Sequence, residues 1–253
     1  MIDTMGIKQK KGKELTLREH LEELRRRLIW SVIAIVITTG VSFVFAGRIF
    51  EFFQSRAPKD TVFIVIEVQE KMSVYMQVCL YLGFVLALPF LIYQTVMFIR
   101  PALTPTEKKY LYILLPAVVV CFFAGAAFTY YIFLPPALDF LINFSLVDAV
   151  PQIRIGSYIS MIAKLLLIMG LVFELPLVIY FLTRIGVVTP QGLIRFWRYA
   201  FVGAFIVSAI VTPTIDPLNQ TIVAFPMILL YGLGILLSML AQRQRASPEE
   251  SKA

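Results

Sequence analysis

A bundle of six membrane-spanning α-helices, with both ends of the chain on one side, is the fold this sequence predicts. Three observations lead there. Of its 253 residues 59% are hydrophobic, and the mean hydropathy is +0.82; a soluble domain could not bury that much apolar surface, whereas lipid accepts it on every side of a helix. The apolar residues form continuous runs rather than the alternating pattern of barrel strands, and in lipid each run must satisfy its own backbone, as a helix does. Lysine and arginine, finally, crowd the connections on one face and thin out on the other.

The first run, Leu28 to Gly47, holds twenty uncharged residues between Arg27 and Arg48. At about 1.5 Å per residue it crosses the roughly 30 Å hydrocarbon core of a bilayer. It is longer than the apolar core of a signal peptide, so Val44-Phe-Ala46 only mimics a cleavage site and the span is read as uncleaved. Further uncharged runs are Met72 to Ile99, Tyr110 to Leu138, Tyr199 to Ile215 and Pro217 to Gln242, and a sixth segment, Ile155 to Thr183, is interrupted only by Lys164 and Glu174. Tyr199 to Val211 offers thirteen residues before Thr212-Pro213, and the last run carries Pro226. Both are expected to be short, with the membrane thinned beside them.

With six spans, 17 lysines and arginines fall on the face that holds both termini and 5 on the other, while Lys164 lies inside a span. The positive-inside rule places that richer face, and both termini, in the cytoplasm. The net charge of +7 therefore reports orientation, and no nucleic-acid-binding motif accompanies it. The chain divides into a cytoplasmic amphipathic segment, 1–27, a six-span domain, 28–242, and a polar tail, 243–253, expected to be disordered. Cys79 and Cys121 stand in uncharged runs without a Cys-x-x-Cys spacing, and His20 is the single histidine. No metal, cofactor or nucleotide site is expected.

His20-Leu-Glu-Glu-Leu-Arg-Arg-Arg-Leu28 packs two carboxylates and three guanidinium groups against the first span. Leu17, Leu21, Leu24 and Leu28 recur at helical spacing and Thr16-Leu-Arg-Glu19 fits a capping box, which predicts a short amphipathic helix on the membrane surface. Glu23 lies about 130° from that stripe, facing water or a partner. Glu22 with Arg26 and Glu23 with Arg27 are i,i+4 pairs in the favourable order, and a solvated ion-pair face would explain them as well.

Four further polar positions stand out. Glu107 follows the proline-rich connection Phe98 to Pro105 and opens the next helix, where the dipole alone favours a carboxylate. Glu174, in Phe173-Glu-Leu-Pro176, sits inside a span, where an ionised group costs several kcal/mol unless paired or hydrated. Pro176 leaves the Val172 carbonyl without its helical partner, so the two build a polar notch; holding the bundle together is the alternative role for Glu174. Asp216 suits a tight turn before the last span, and Gln220 adds a polar group near that span's start. Lys164 can snorkel and is assigned no role.

In order along the chain, His20-Leu-x-Glu-Leu-Arg-x-Arg-Leu28, Ala57-Pro58, Tyr93-Gln94, Phe98-x-x-Pro-Ala-Leu-x-x-x-Glu107, Phe173-Glu-x-Pro176, Thr212-Pro-x-x-Asp216, Gln220 and Phe225-Pro-Met227 resemble the TatC family, the multispanning receptor of the twin-arginine protein translocase. The resemblance covers nearly the whole chain. It implies a non-enzymatic subunit of the cytoplasmic membrane that receives twin-arginine signal peptides of folded cargo at Glu23 and Glu107, with Arg25 and Arg27 holding the carboxylates and Phe98 bordering them. It further implies that Glu174 and Gln220 meet single-span TatA/TatB-type subunits, that Pro58 and Asp216 serve structure or transport, and that copies self-associate. Gly232 departs from the pattern, since many relatives carry Glu there. The rival reading is a proton-coupled secondary transporter using Glu174, but the halves show no paired broken helices. An intramembrane hydrolase would need a metal motif or a Ser/His pair that this sequence lacks.

Overall fold

The computed structural model describes residues 17–57, 61–100, 105–143, 152–212 and 217–250, of which 17, 105–113, 140–143, 219 and 244–250 are described by backbone alone. Among the described residues, six transmembrane helices are built from nine α-helical pieces and one π-turn, and a tenth α-helix connects two of them. The first, α1 (Leu17–Ser42), turns through 73° into α2 (Ala46–Gln54). The second is α3 (Glu70–Ile99). The third is α4 (Pro105–Phe128), which passes through a π-turn at Thr129–Phe133 into α5 (Leu134–Asn143). The fourth is α6 (Ile155–Val172) with α7 (Leu175–Arg184). A short helix, α8 (Pro190–Arg195), leads to the fifth, α9 (Trp197–Val211), and the sixth is α10 (Pro217–Glu250).

Three features depart from the expectation. The amphipathic segment is not a separate surface helix: it forms the first turns of α1, which runs unbroken into the first span. Leu21, Leu24 and Leu28 are exposed along it, so the leucine stripe faces outward. The reason is that nothing between Arg27 and Ser42 interrupts the helix, while the opposite face of the same turns has a partner in α3. Second, α10 continues through Pro226 and beyond Gln242 to Glu250, so the last span is not short and the tail from 243 is helical that far. Third, the far end carries a two-stranded parallel sheet, β1 (Val62–Ile64) on β2 (Gln152–Arg154), too short to leave a signal in the sequence.

Side-chain pairs fix α1 antiparallel to α3. His20 stacks on Phe98, Arg27 bonds to Gln94, Thr38 Oγ1 donates to the Gly83 carbonyl at 2.7 Å, and Tyr75 Oη donates to the Phe43 carbonyl at 2.9 Å. Gly83 permits this closeness, because a Cβ there would stand 2.6 Å from the Thr39 Cα. In a membrane, small residues replace the hydrophobic effect as the means of bringing helices together. Gly83→Ala is accordingly expected to separate the pair at a cost of about 1–3 kcal/mol, the usual penalty for overpacking. A thermal melt of the purified chain that matched the natural protein would refute this.

The central core lies on α6, where Ile159, Ile162 and Met169 are fully buried against residues such as Leu134 and Val78. At Phe173–Glu174 the helix breaks: Pro176 has no N–H for the Val172 carbonyl, and α7 restarts one residue later. The π-turn precedes Pro135 and Pro136, two residues that likewise cannot donate. α9, with fifteen residues, measures about 22 Å along its axis. Of the two spans expected to be short, this one is.

Candidate functional site

At the end of the bundle where α1 starts and α3 stops, the two helices enclose a cavity of about 740 Å³. Glu19, Glu22, Glu23, Arg26, Arg27 and Trp30 line it from α1, one helical face, and Phe90, Tyr93 and Gln94 from α3. Three carboxylates and two guanidinium groups thus share one recess above an aromatic floor. Glu23 and Arg27 form the i,i+4 pair: Arg27 Nε donates to Glu23 Oε1 at 2.9 Å, and the terminal nitrogen Nη2 bonds to the same oxygen. Arg27 Nη1 donates to Gln94 Oε1 at 3.0 Å. The side chains of this pair keep only 23% and 24% of their surface, so the ion pair sits at a partly dehydrated boundary where it is worth more than a surface pair.

Arg25 is exposed and does not line the cavity; Arg27 is the arginine that holds Glu23. Phe98 stacks on His20 with ring centroids 4.4 Å apart, one turn beyond the cavity. Glu107 belongs to α4, whose first residue, Pro105, follows Arg100 at this same end; its side chain lies outside the described residues. Pro58 and Asp216 also lie outside them.

Glu174 stands at the α6–α7 break, with its backbone N–H on the Leu171 carbonyl at 3.1 Å. Its Oε1 is enclosed and, among the described residues, has no hydrogen-bond partner. Gln220 is committed within the bundle: its Nε2 donates to the Phe205 carbonyl at 2.7 Å, and its own carbonyl accepts Ser208 Oγ at 2.6 Å. The two helices α9 and α10 are joined by these bonds. Gln220 thereby braces α9 against α10, because the neighbouring helix presents both a carbonyl and a hydroxyl at its level.

Residues 19–226 match the family model of TatC, the Sec-independent protein translocase protein. Over 236 residues the chain is 38% identical to the Sec-independent protein translocase protein TatC of Aquifex aeolicus, covering 91% of this chain and 98% of that one. It is 34% identical to the TatC of Koribacter versatilis, covering 97% and 94%. A crystal structure described as the twin arginine translocase receptor TatC superposes with a TM-score of 0.82 at 38% identity, covering 88% of this chain and 99% of that one. The chain belongs to the TatC family. It is a multi-pass membrane subunit of the Sec-independent protein translocase.

The far end of this TatC family member holds a second polar centre that its sequence did not announce. Glu70, buried at the start of α3, accepts the Gly156 N–H at 2.9 Å and Arg154 Nε at 3.0 Å through Oε1, and the Ile66 N–H at 3.0 Å through Oε2. Arg154 also bonds to Glu67 at 3.1 Å, and the hydrogen bond it donates to Glu70 raises its pKa above the ordinary guanidinium value. A Cβ at Gly156 would stand 2.6 Å from Glu70 Oε1, so the glycine opens the approach. This clasp ties β1 to β2 across the bundle. A carboxylate opening an apolar run was its visible signal, and Gln94, one of two amides in the run Met72 to Ile99, was the signal for the partner of Arg27.

Proposed function

We propose that this subunit binds the paired arginines of twin-arginine signal peptides in the α1–α3 cavity, on the cytoplasmic face, and recruits single-span partner subunits through the Glu174 notch. The observation that carries the reading is the Glu23–Arg27–Gln94 arrangement: a half-buried carboxylate and an amide oxygen that already hold one guanidinium through three of its nitrogens. A planar fork satisfies both acceptors at once, whereas an ammonium is a compact, strongly hydrated point charge. Glu19 and Glu22 supply further negative charge in the same recess, and Glu107 lies in the first turn of α4, the helix that follows α3 at this end. Glu174 is a carboxylate enclosed at a helix break, and a partner helix bearing a donor would lower the cost of keeping it there. Both termini face the cytoplasm in this reading, supported by the excess of lysine and arginine on their side.

The direct test is crosslinking of an Arg-Arg signal peptide against its Lys-Lys version to the full chain in membrane vesicles. At 4 Å and an effective dielectric near 20 each charge pair contributes about 4 kcal/mol before desolvation, for either cation. The difference must come from the fork, and the dilysine peptide is expected to dock about tenfold or more weakly. Equal docking would overturn the reading.

A further inference from the structure

A cavity of about 680 Å³ opens at the far end, between the outer turns of α3, α6 and α9. Its walls include Glu67, Glu70, Gln77, Arg154, Ser160 and Lys164. Most of these groups are already matched. Glu67 and Glu70 hold Arg154, and Gln77 accepts Ser160 Oγ at 2.6 Å while its amide donates to Tyr81 Oη at 2.9 Å. Lys164 is different: among the described residues it forms no hydrogen bond and no ion pair. It stands nine residues into α6 from Ile155, about 13 Å along the axis. An ammonium at that depth calls for a counter-charge or water.

The geometry brings the membrane surface down to it. Val211 and Thr212, where the short α9 ends, line the same cavity as Lys164, so the hydrocarbon boundary beside α9 descends to the lysine. Below the cavity, Met72, Met76 and Leu80 on α3 follow at one-turn spacing and are 63%, 49% and 51% exposed, and Ile210 and Ile206 do the same on α9 at 71% and 57%. Two apolar stripes thus lead away from a cation in a recess of headgroup size.

We propose that this cavity is a phospholipid site, in which Lys164 binds the headgroup phosphate and the acyl chains lie along the α3 and α9 stripes. The proposal does not rest on the signal-peptide reading, since it uses the opposite end of the bundle. The stripes favour lipid over free phosphate, for which they would have no use.

Native mass spectrometry of the full chain in detergent, titrated with phosphatidylglycerol, tests it. The natural chain is expected to retain one lipid more tightly than the rest, K164M to weaken that lipid about tenfold, and K164R to keep it, as a charge-assisted contact requires. Diacylglycerol, which has no phosphate, should not compete, and neither should millimolar inorganic phosphate. Unchanged retention by K164M overturns the site, and displacement by inorganic phosphate overturns the lipid assignment. So does Lys164-dependent binding of an acidic single-span peptide with none of phosphatidylglycerol. If K164M does not fold, a photocrosslinking residue in place of Met161, which also lines the cavity, gives the answer with Lys164 intact. Phospholipid adducts support the site, and their absence overturns it.

Discussion

Glu23→Ala is expected to reduce twin-arginine peptide docking by about thirtyfold, some 2 kcal/mol, the lower end of what truncating one partner of a desolvated charge pair costs. The loss has two sources. The incoming guanidinium loses its main acceptor, and Arg27, released from Glu23 but still bonded to Gln94, is left as an uncompensated positive charge in the recess that must receive two more. Glu23→Gln should fall between, because it keeps an acceptor oxygen and removes the charge. Glu107→Ala should act in the same direction through the other acidic position. Fluorescence titration with a labelled signal peptide measures all three, and undiminished affinity in Glu23→Ala would remove the site from the α1–α3 cavity.

Glu174→Ala should produce the opposite pattern. Peptide docking in the α1–α3 cavity should be untouched, while single-span partners should cease to co-purify, and the isolated chain should melt at a higher temperature than the natural one. The stabilisation follows from the enclosed Oε1, which has no partner among the described residues. A carboxylate in mid-span costs about 3 kcal/mol on insertion scales, and alanine relieves that without opening a large void. A group kept despite such a cost is a group with work to do in the assembled state. If Glu174→Ala lowered the melting temperature and left partner recovery intact, the residue would be a brace of the bundle.

Much of the architecture was legible before any coordinates. Spans declare themselves because hydrocarbon tolerates only helices with continuous apolar faces. The unpartnered Val172 carbonyl beside Glu174 was legible for a local reason as well: a proline's missing N–H acts four residues away, within the reach of local sequence. Errors arose where the outcome depended on a neighbour. Pro226 suggested a shortened helix, yet α10 runs through it while α7 and α9 pack along its length. Nor does periodicity tell which way Gln220 faces, which the Phe205 carbonyl and Ser208 hydroxyl decide.

What the sequence determined by itself, then, was the helical membrane class and the six spans, because apolar length acts residue by residue. Only the tertiary structure decided that Gln94 completes the grip on Arg27, that Glu70, Arg154 and Gly156 clasp the far end, and that Lys164 shares a recess with α3 and α9 without an ion pair among the described residues. Each of these joins residues from different helices. Such meetings depend on the rotation and register of helices packed against one another, which hydropathy leaves open and close contacts such as Thr38 on Gly83 set.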